Sequence, residues 1–169
     1  MTRTLTVFSM AVALAAAGRA NANDSWITTK AKLALLTTDG LHVSAPNVDT
    51  VDGKVTLHGK VETAAEKTSA EKAVQKIDGV KSVNNLLQVV PEKQKHAVDA
   101  KDSVIKDRVE VSLKKNASLK DVKVASVNKG VVLLSGKTTN LVDKLQAVET
   151  AYTVDGVHSV ASEIESSEN

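Results

Sequence analysis

The feature that most constrains this chain is that it says nearly everything twice. Asp24-Ser25-Trp26-Ile27 is echoed by Asp102-Ser103-Val104-Ile105, and Val55-Thr56-Leu57-His58-Gly59-Lys60 by Val132-Leu133-Leu134-Ser135-Gly136-Lys137. Asp78-Gly79-Val80 returns as Asp155-Gly156-Val157, and Ser82-Val83 as Ser159-Val160. The offset is 78 in the first block and 77 in the other three. One residue is therefore lost between the first block and the second. Self-similarity at this period means one supersecondary unit written twice. Each unit holds only about 65 residues, so its core is small.

Both units read in the same order. Ile27, Ala31, Ala34 and Leu35 fall on one face of a helix, as do Ile105, Val109 and Leu113. Two β-rich runs follow, Val48 to Val51 and Lys54 to Val61, split by Asp52-Gly53. An Asp-Gly pair in that place signals a two-residue hairpin turn. The second unit writes Val122 to Val127, then Asn128-Lys129-Gly130, then Val131 to Gly136. Thr63 and Glu66 have capping-box spacing at the start of a second helix, and Asn140 and Asp143 match them. Ala70, Ala73, Val74 and Ile77 supply its buried stripe, and Ala147, Val148, Ala151 and Val154 the later one. Gly79 and Gly156 stand where left-handed glycines end helices. Val83 to Val90 and Val157 to Ile164 make the last strands.

The expected fold is therefore α/β of the α+β kind: two tandem α-β-β-α-β units. In each, a right-handed crossover sets the third strand parallel to the second. Two helices cover one face of a three-stranded mixed sheet. The boundaries are residues 23–90 and 102–166, with 91–101 (PEKQKHAVDAK) as a polar linker whose end extends the next helix. The two units are expected to fold as separate domains.

Residues 1–22 read as a signal peptide. Arg3 precedes the uncharged run Leu5 to Ala17, and Ala20-Asn21-Ala22 is a small-x-small site, so cleavage is expected after Ala22. The run is shorter than the about 20 apolar residues a membrane span needs. No Cys follows it, which rules out lipid attachment at a signal cysteine. The expected location is the periplasm. Of 22 Lys+Arg, Arg3 and Arg19 leave with the signal, so the mature chain balances 20 bases against 20 acids. A neutral chain has no electrostatic reason to bind nucleic acid. Trp26 and Tyr152 are the mature chain's only aromatics, too few for base-stacking platforms. With no Cys anywhere, the small domains hold by packing alone.

In this arrangement the chain resembles the BON domain family. The V-x-L-x-G run (Val55, Leu57, Gly59; Val132, Leu134, Gly136) and the closing G-V-x-x-V run (Gly79, Val80, Val83; Gly156, Val157, Val160) carry the resemblance. It covers nearly the whole mature chain. It implies a non-catalytic periplasmic module tied to envelope or osmotic stress, with phospholipid binding proposed for the family. Some members attach through a lipidated cysteine, which this sequence lacks.

The residues themselves offer no catalytic constellation. There is no G-x-S-x-G elbow. His42, His58, His96 and His158 show no metal-ligand spacing, and they read as solvent-facing or incidental. Gly53, Gly59, Gly79, Gly130, Gly136 and Gly156 are spread one per turn, not clustered as a phosphate loop requires, so they read as structural turn glycines. No cofactor, metal or small-molecule substrate is expected.

Trp26 opens the first helix opposite Val104 and has two readings: a cap on the core, or a surface anchor with Lys30 and Lys32 beside it. Indole settles at membrane-water interfaces. The narrow, Ala-rich buried stripes favour packing on their own sheets, so any membrane contact is weak and reversible. Two functional classes follow. One is a module binding a phospholipid surface or envelope proteins. The other is a chaperone-like protein-binding module using exposed edge strands. Two similar faces on a short linker would add avidity in either case.

Overall fold

The computed structural model describes residues 22–41 and 47–167. Residues 1–21 of the signal segment, and His42, lie outside the described residues; Ala22 and Asn23, which flank the expected cleavage, stand at the start of the first helix.

The first unit contains helix α1 (Ala22–Thr37), strands β1 (Asn47–Val51), β2 (Lys54–His58) and β3 (Lys60–Val61), helix α2 (Ala64–Gln75), and strands β4 (Ser82–Asn85) and β5 (Gln88–Val89). The second contains α3 (Lys95–Lys114), β6 (Val122–Asn128), β7 (Val131–Thr138), α4 (Leu141–Tyr152) and β8 (Ser159–Ser166). β1 pairs antiparallel with β2, and β2 parallel with β4. β6, β7 and β8 repeat that pattern. The expected order and strand directions are both present.

Each unit has its own apolar core between helices and sheet. Ile27, Ala31 and Leu35 of α1 and Ala70 and Val74 of α2 close over Val55 and Leu57. Ile105, Val109 and Leu113 of α3 and Ala147 and Ala151 of α4 close over Val132 and Leu134. The capping box is complete at Thr63 and Glu66. Asn140 caps α4 through its side chain alone, its Oδ1 accepting the Asp143 N–H at 2.8 Å and its Nδ2 donating to the Asp143 carboxylate at 2.9 Å.

Four details differ from the sequence expectation. The second hairpin turns on two residues, not three. Asn128 stays in β6, and Lys129 and Gly130 take φ of 51° and 75°, matching Asp52 and Gly53 at 52° and 77°. The third strand of the first unit is broken at Leu86-Leu87, yet its ladder continues: Leu86 N–H reaches Leu57 C=O at 2.8 Å, and Gln88 N–H reaches Gly59 C=O at 2.9 Å. Gly59 and Gly136 are not turn residues. Gly59 separates β2 from β3, and Gly136 lies inside β7, where a Cβ would run into the Asp121 carbonyl.

Gly79 and Gly156 are the fourth difference. They stand beyond the helix caps Lys76 and Thr153, at the third place of a turn closed by Val80 N–H to Ile77 C=O and Val157 N–H to Val154 C=O, each 3.1 Å. Both have φ of 93°, and α1 presses on the first and α3 on the second. A Cβ on Gly79 would stand 3.0 Å from Ile27 Cδ1, and one on Gly156 2.9 Å from Ile105 Cδ1. Positive φ and close approach both select glycine here.

The segment 91–101 is largely ordered helix. After Pro91 and a single turn, Glu92–Gln94, α3 begins at Lys95. The units also touch. Lys60 Nζ meets Asp102 Oδ2 and Asp99 Oδ1, each at 2.6 Å, and Lys129 Nζ donates to Val89 C=O at 3.3 Å. The Thr56 hydroxyl lies close enough to the Glu163 carboxyl to favour its charged form. Thr56 and His58 point to the side of β2 away from its helices, yet both are buried. Leu133, on the equivalent side of β7, is 1% exposed and belongs to neither core. The two sheets therefore meet through the faces their own helices leave open.

Candidate functional site

The first helix of each unit is fixed by a carboxylate, in the first turn of α1 and about two turns into α3. Asp24 accepts the N–H groups of Asp52 and Gly53 at 2.8 and 2.9 Å. Asp102 accepts those of Lys129 and Gly130 at 2.8 and 3.0 Å. The clamp ties the helix to the hairpin tip and so fixes which face of the helix looks outward. The repeated Asp-Ser pair was the sequence signal for it. Its partner lies nearly thirty residues on, and no local spacing rule connects them.

With the helix so fixed, Trp26 is 62% exposed and Leu33 60%. Trp26 does not cap the core. Its outward position follows from Ile27, the next residue, taking the buried face. Lys30 stands between them at i+4, its Nζ 5.8 Å from the indole centroid and donating to the Asp78 carbonyl at 3.1 Å. Trp26 and Lys30 rim a shallow depression of about 370 Å³ with Gly53, Gly79 and Lys81. Lys32 is not part of this group. Six residues on from Trp26, it lies about 120° round the helix. There it lines a groove with Asp49 and Thr50.

The same stripe occurs in the second unit. Val104, Arg108 and Val111 occupy the places of Trp26, Lys30 and Leu33, and all three are exposed. Lys101 and Lys115, seven residues to either side of Arg108, are exposed too. A seven-residue step nearly returns to the same azimuth. Three cations therefore line up over about 21 Å of α3, beside the two valines. Arg108, Val111 and Lys115 line an open depression of about 450 Å³ together with Asp107 and Val154. Sequence reasoning stopped at Trp26 and missed this second stripe. Carrying the offset of 78 six residues further, from Ile27 to Leu33, would have found it.

The other ionisable groups of note sit between the units. His58 is buried against expectation, because the second sheet covers it, and its Nε2 lies 2.9 Å from Asp49 Oδ2. That bond holds the Asp49 carboxyl below its ordinary value, against the opposing effect of burial. Burial pushes Glu163 up, against the opposing effect of the nearby Thr56 hydroxyl. Burial also works against the charge of Lys60, but its bonds to Asp102 and Asp99 outweigh this and raise its pKa. Among the described residues no group of three or more His, Asp or Glu converges as metal ligands. Nor, among them, is any helix long and apolar enough to cross a membrane.

Two clamped α-β-β-α-β units, each presenting the outer face of its first helix, define a duplicated α/β module. Residues 23–91 and 101–167 each match the BON domain, and the chain belongs to that family. Osmotically-inducible protein Y of Escherichia coli (strain K12) is 34% identical over 153 residues, covering 84% of this chain and 72% of that protein. Two structures of CdsD, a structural protein of the type III secretion system of Chlamydia trachomatis, align with TM-scores of 0.34. They are 13% and 14% identical and cover 82% and 83% of this chain. The alignment takes in 63% of the first CdsD chain, under two thirds of its length, and 92% of the second.

Proposed function

We propose that this protein is a non-catalytic envelope-stress protein of the periplasm that docks on anionic phospholipid surfaces through the outer faces of α1 and α3. The observation that carries the reading is the repeated apolar-cation-apolar stripe, Trp26-Lys30-Leu33 and Val104-Arg108-Val111. Its residues face away from the cores, so the fold does not require them. Cations near an anionic surface contribute about 1 kcal/mol each, and indole favours the interface. Each face is thus a weak, reversible contact. The inducibility in the name of the Escherichia coli relative supports the stress role.

Trp26 is the only Trp, so its fluorescence reports on the α1 face. The mature protein is titrated with vesicles of phosphatidylcholine and phosphatidylglycerol, and bound protein is separated by flotation. A blue shift together with co-flotation is expected. Protein left at the bottom of the gradient with an unmoved spectrum would overturn the reading.

One observation favours a second reading, a chaperone-like module that binds proteins. Leu141, Leu145 and Tyr152 form an exposed row on α4. Their counterparts in α2 are Ala64, Thr68 and Gln75, so the row is not needed for folding. Leu145→Ser should weaken suppression of client aggregation if this row is the binding surface.

A further inference from the structure

We propose that the protein bridges two anionic lipid surfaces instead of gripping one surface at two points. This rests on the reading of the α1 and α3 faces given above.

The argument comes from the way the units are joined. Thr56 and His58 of β2 and Leu133 of β7 are buried although they lie on the sides of their sheets opposite the two cores. Thr56 of the first sheet lies beside Glu163 of the second, and the contact is pinned at one end by Lys60 with Asp102 and Asp99. At that end Lys129 also reaches Val89. Packed sheets stand about 10 Å apart. The layers therefore run α1 and α2, first sheet, second sheet, α3 and α4. Each helix pair covers the outside of its own sheet, so the two outer faces look in opposite directions.

A flat bilayer that touches Trp26 and Leu33 has Val104, Arg108 and Val111 on the far side of the molecule. Two linked sites gain avidity on one surface only if geometry lets both engage it at once. Here it does not, and the avidity expected of a short linker is lost. What duplication supplies is a two-sided particle. The sides differ: α3 offers Lys101, Arg108 and Lys115 in line, whereas the same places on α1 are Asn23, Lys30 and Thr37. The occupant is the same on both, an anionic bilayer, approached mainly through charge by α3 and mainly through Trp26 and Leu33 by α1.

The test is clustering of large unilamellar vesicles of phosphatidylcholine and phosphatidylglycerol. It is followed by dynamic light scattering, with flotation of the same samples. The mature wild-type chain should float with the vesicles and enlarge the mean particle size several-fold. Excess protein should reverse this by coating each vesicle separately. Two surface variants, Trp26→Ser with Leu33→Ser and Val104→Ser with Arg108→Gln, should each still float yet fail to cluster. Their melting curves, matched to wild type, exclude unfolding. Flotation of the wild type without clustering would overturn the bridge and leave the proposed function standing. Clustering that survives loss of either face would overturn it too, since self-association then makes the link. Failure of the wild type to float would remove both readings together.

Discussion

Asp24 Oδ1 accepts the Gly53 N–H at 2.9 Å, across 29 residues of chain. Together with the 2.8 Å bond from Asp52 N–H, this makes the start of α1 part of the hairpin. Asp24→Ala leaves two backbone donors unpaired, of which that of Gly53 is buried. The expected loss is about 1–3 kcal/mol in urea denaturation. Exchange of the Asp52 and Gly53 amides should quicken. Asp24→Asn, which keeps one acceptor oxygen, should recover part of the loss. An unchanged midpoint in the alanine variant would show that the clamp contributes nothing.

Gly156→Ala is expected to destabilise the second unit by at least about 1–2 kcal/mol, the cost of left-handed backbone for an L side chain. The new methyl also meets Ile105. Adding Ile105→Val should relieve the crowding and leave the backbone cost. Full recovery in the double variant, seen in paired thermal melts, would mean that crowding was the whole effect.

Glu163 is expected to oppose folding at neutral pH. Burial raises its folded pKa above the ordinary 4.5, so the folded state holds the proton more tightly than the unfolded state does. Its contribution becomes favourable as pH falls through that raised value and is complete below 4.5. Glu163→Gln should therefore raise the melting temperature at pH 7, and the gain should shrink on acidification. Asp49 works the other way. Its folded pKa is depressed below 3.8, so its contribution is intact above that value and is lost as pH falls through the folded one. A Glu163→Gln gain that is constant from pH 7 to pH 4 would contradict this assignment.

Lys60→Met removes the two 2.6 Å contacts to α3. Hydrogen bonds to charged groups contribute about 1.5–3 kcal/mol. The variant should lose coupling between the units, visible as two separate calorimetric transitions where the wild type has one. A single transition in both proteins would show that the buried sheet faces alone hold the units together.

The order of elements, the first hairpin turn, the N-caps of α2 and α4 and both cores were legible because each depends on spacing within one segment. The contact between the sheets was not. Thr56 and His58 alternate with Val55 and Leu57, which is how a strand with one wet face reads. The contrary hint was Val131-Val132-Leu133-Leu134, an unbroken apolar run of the kind that strands buried on both faces show. In the candidate site, Trp26 and Lys30 could be read from the sequence. The exclusion of Lys32 needed the helix azimuth, and the opposed facing of the two stripes needed the sheet contact.

The helical start of α3 turns the connection between the units into a screw thread. Between Pro91 and the clamp residue Asp102 the chain is wound, so its length and its angle are coupled. One extra residue placed between Lys95 and Asp99 would advance the second unit by about 1.5 Å and rotate it by about 100°. Lys60 could then no longer reach Asp99 and Asp102 together. A polar connector of this composition ordinarily tolerates insertions. Here the connection is quantised: each inserted residue would re-aim one face against the other by about 100°, and only insertions close to whole helical turns would restore the original facing.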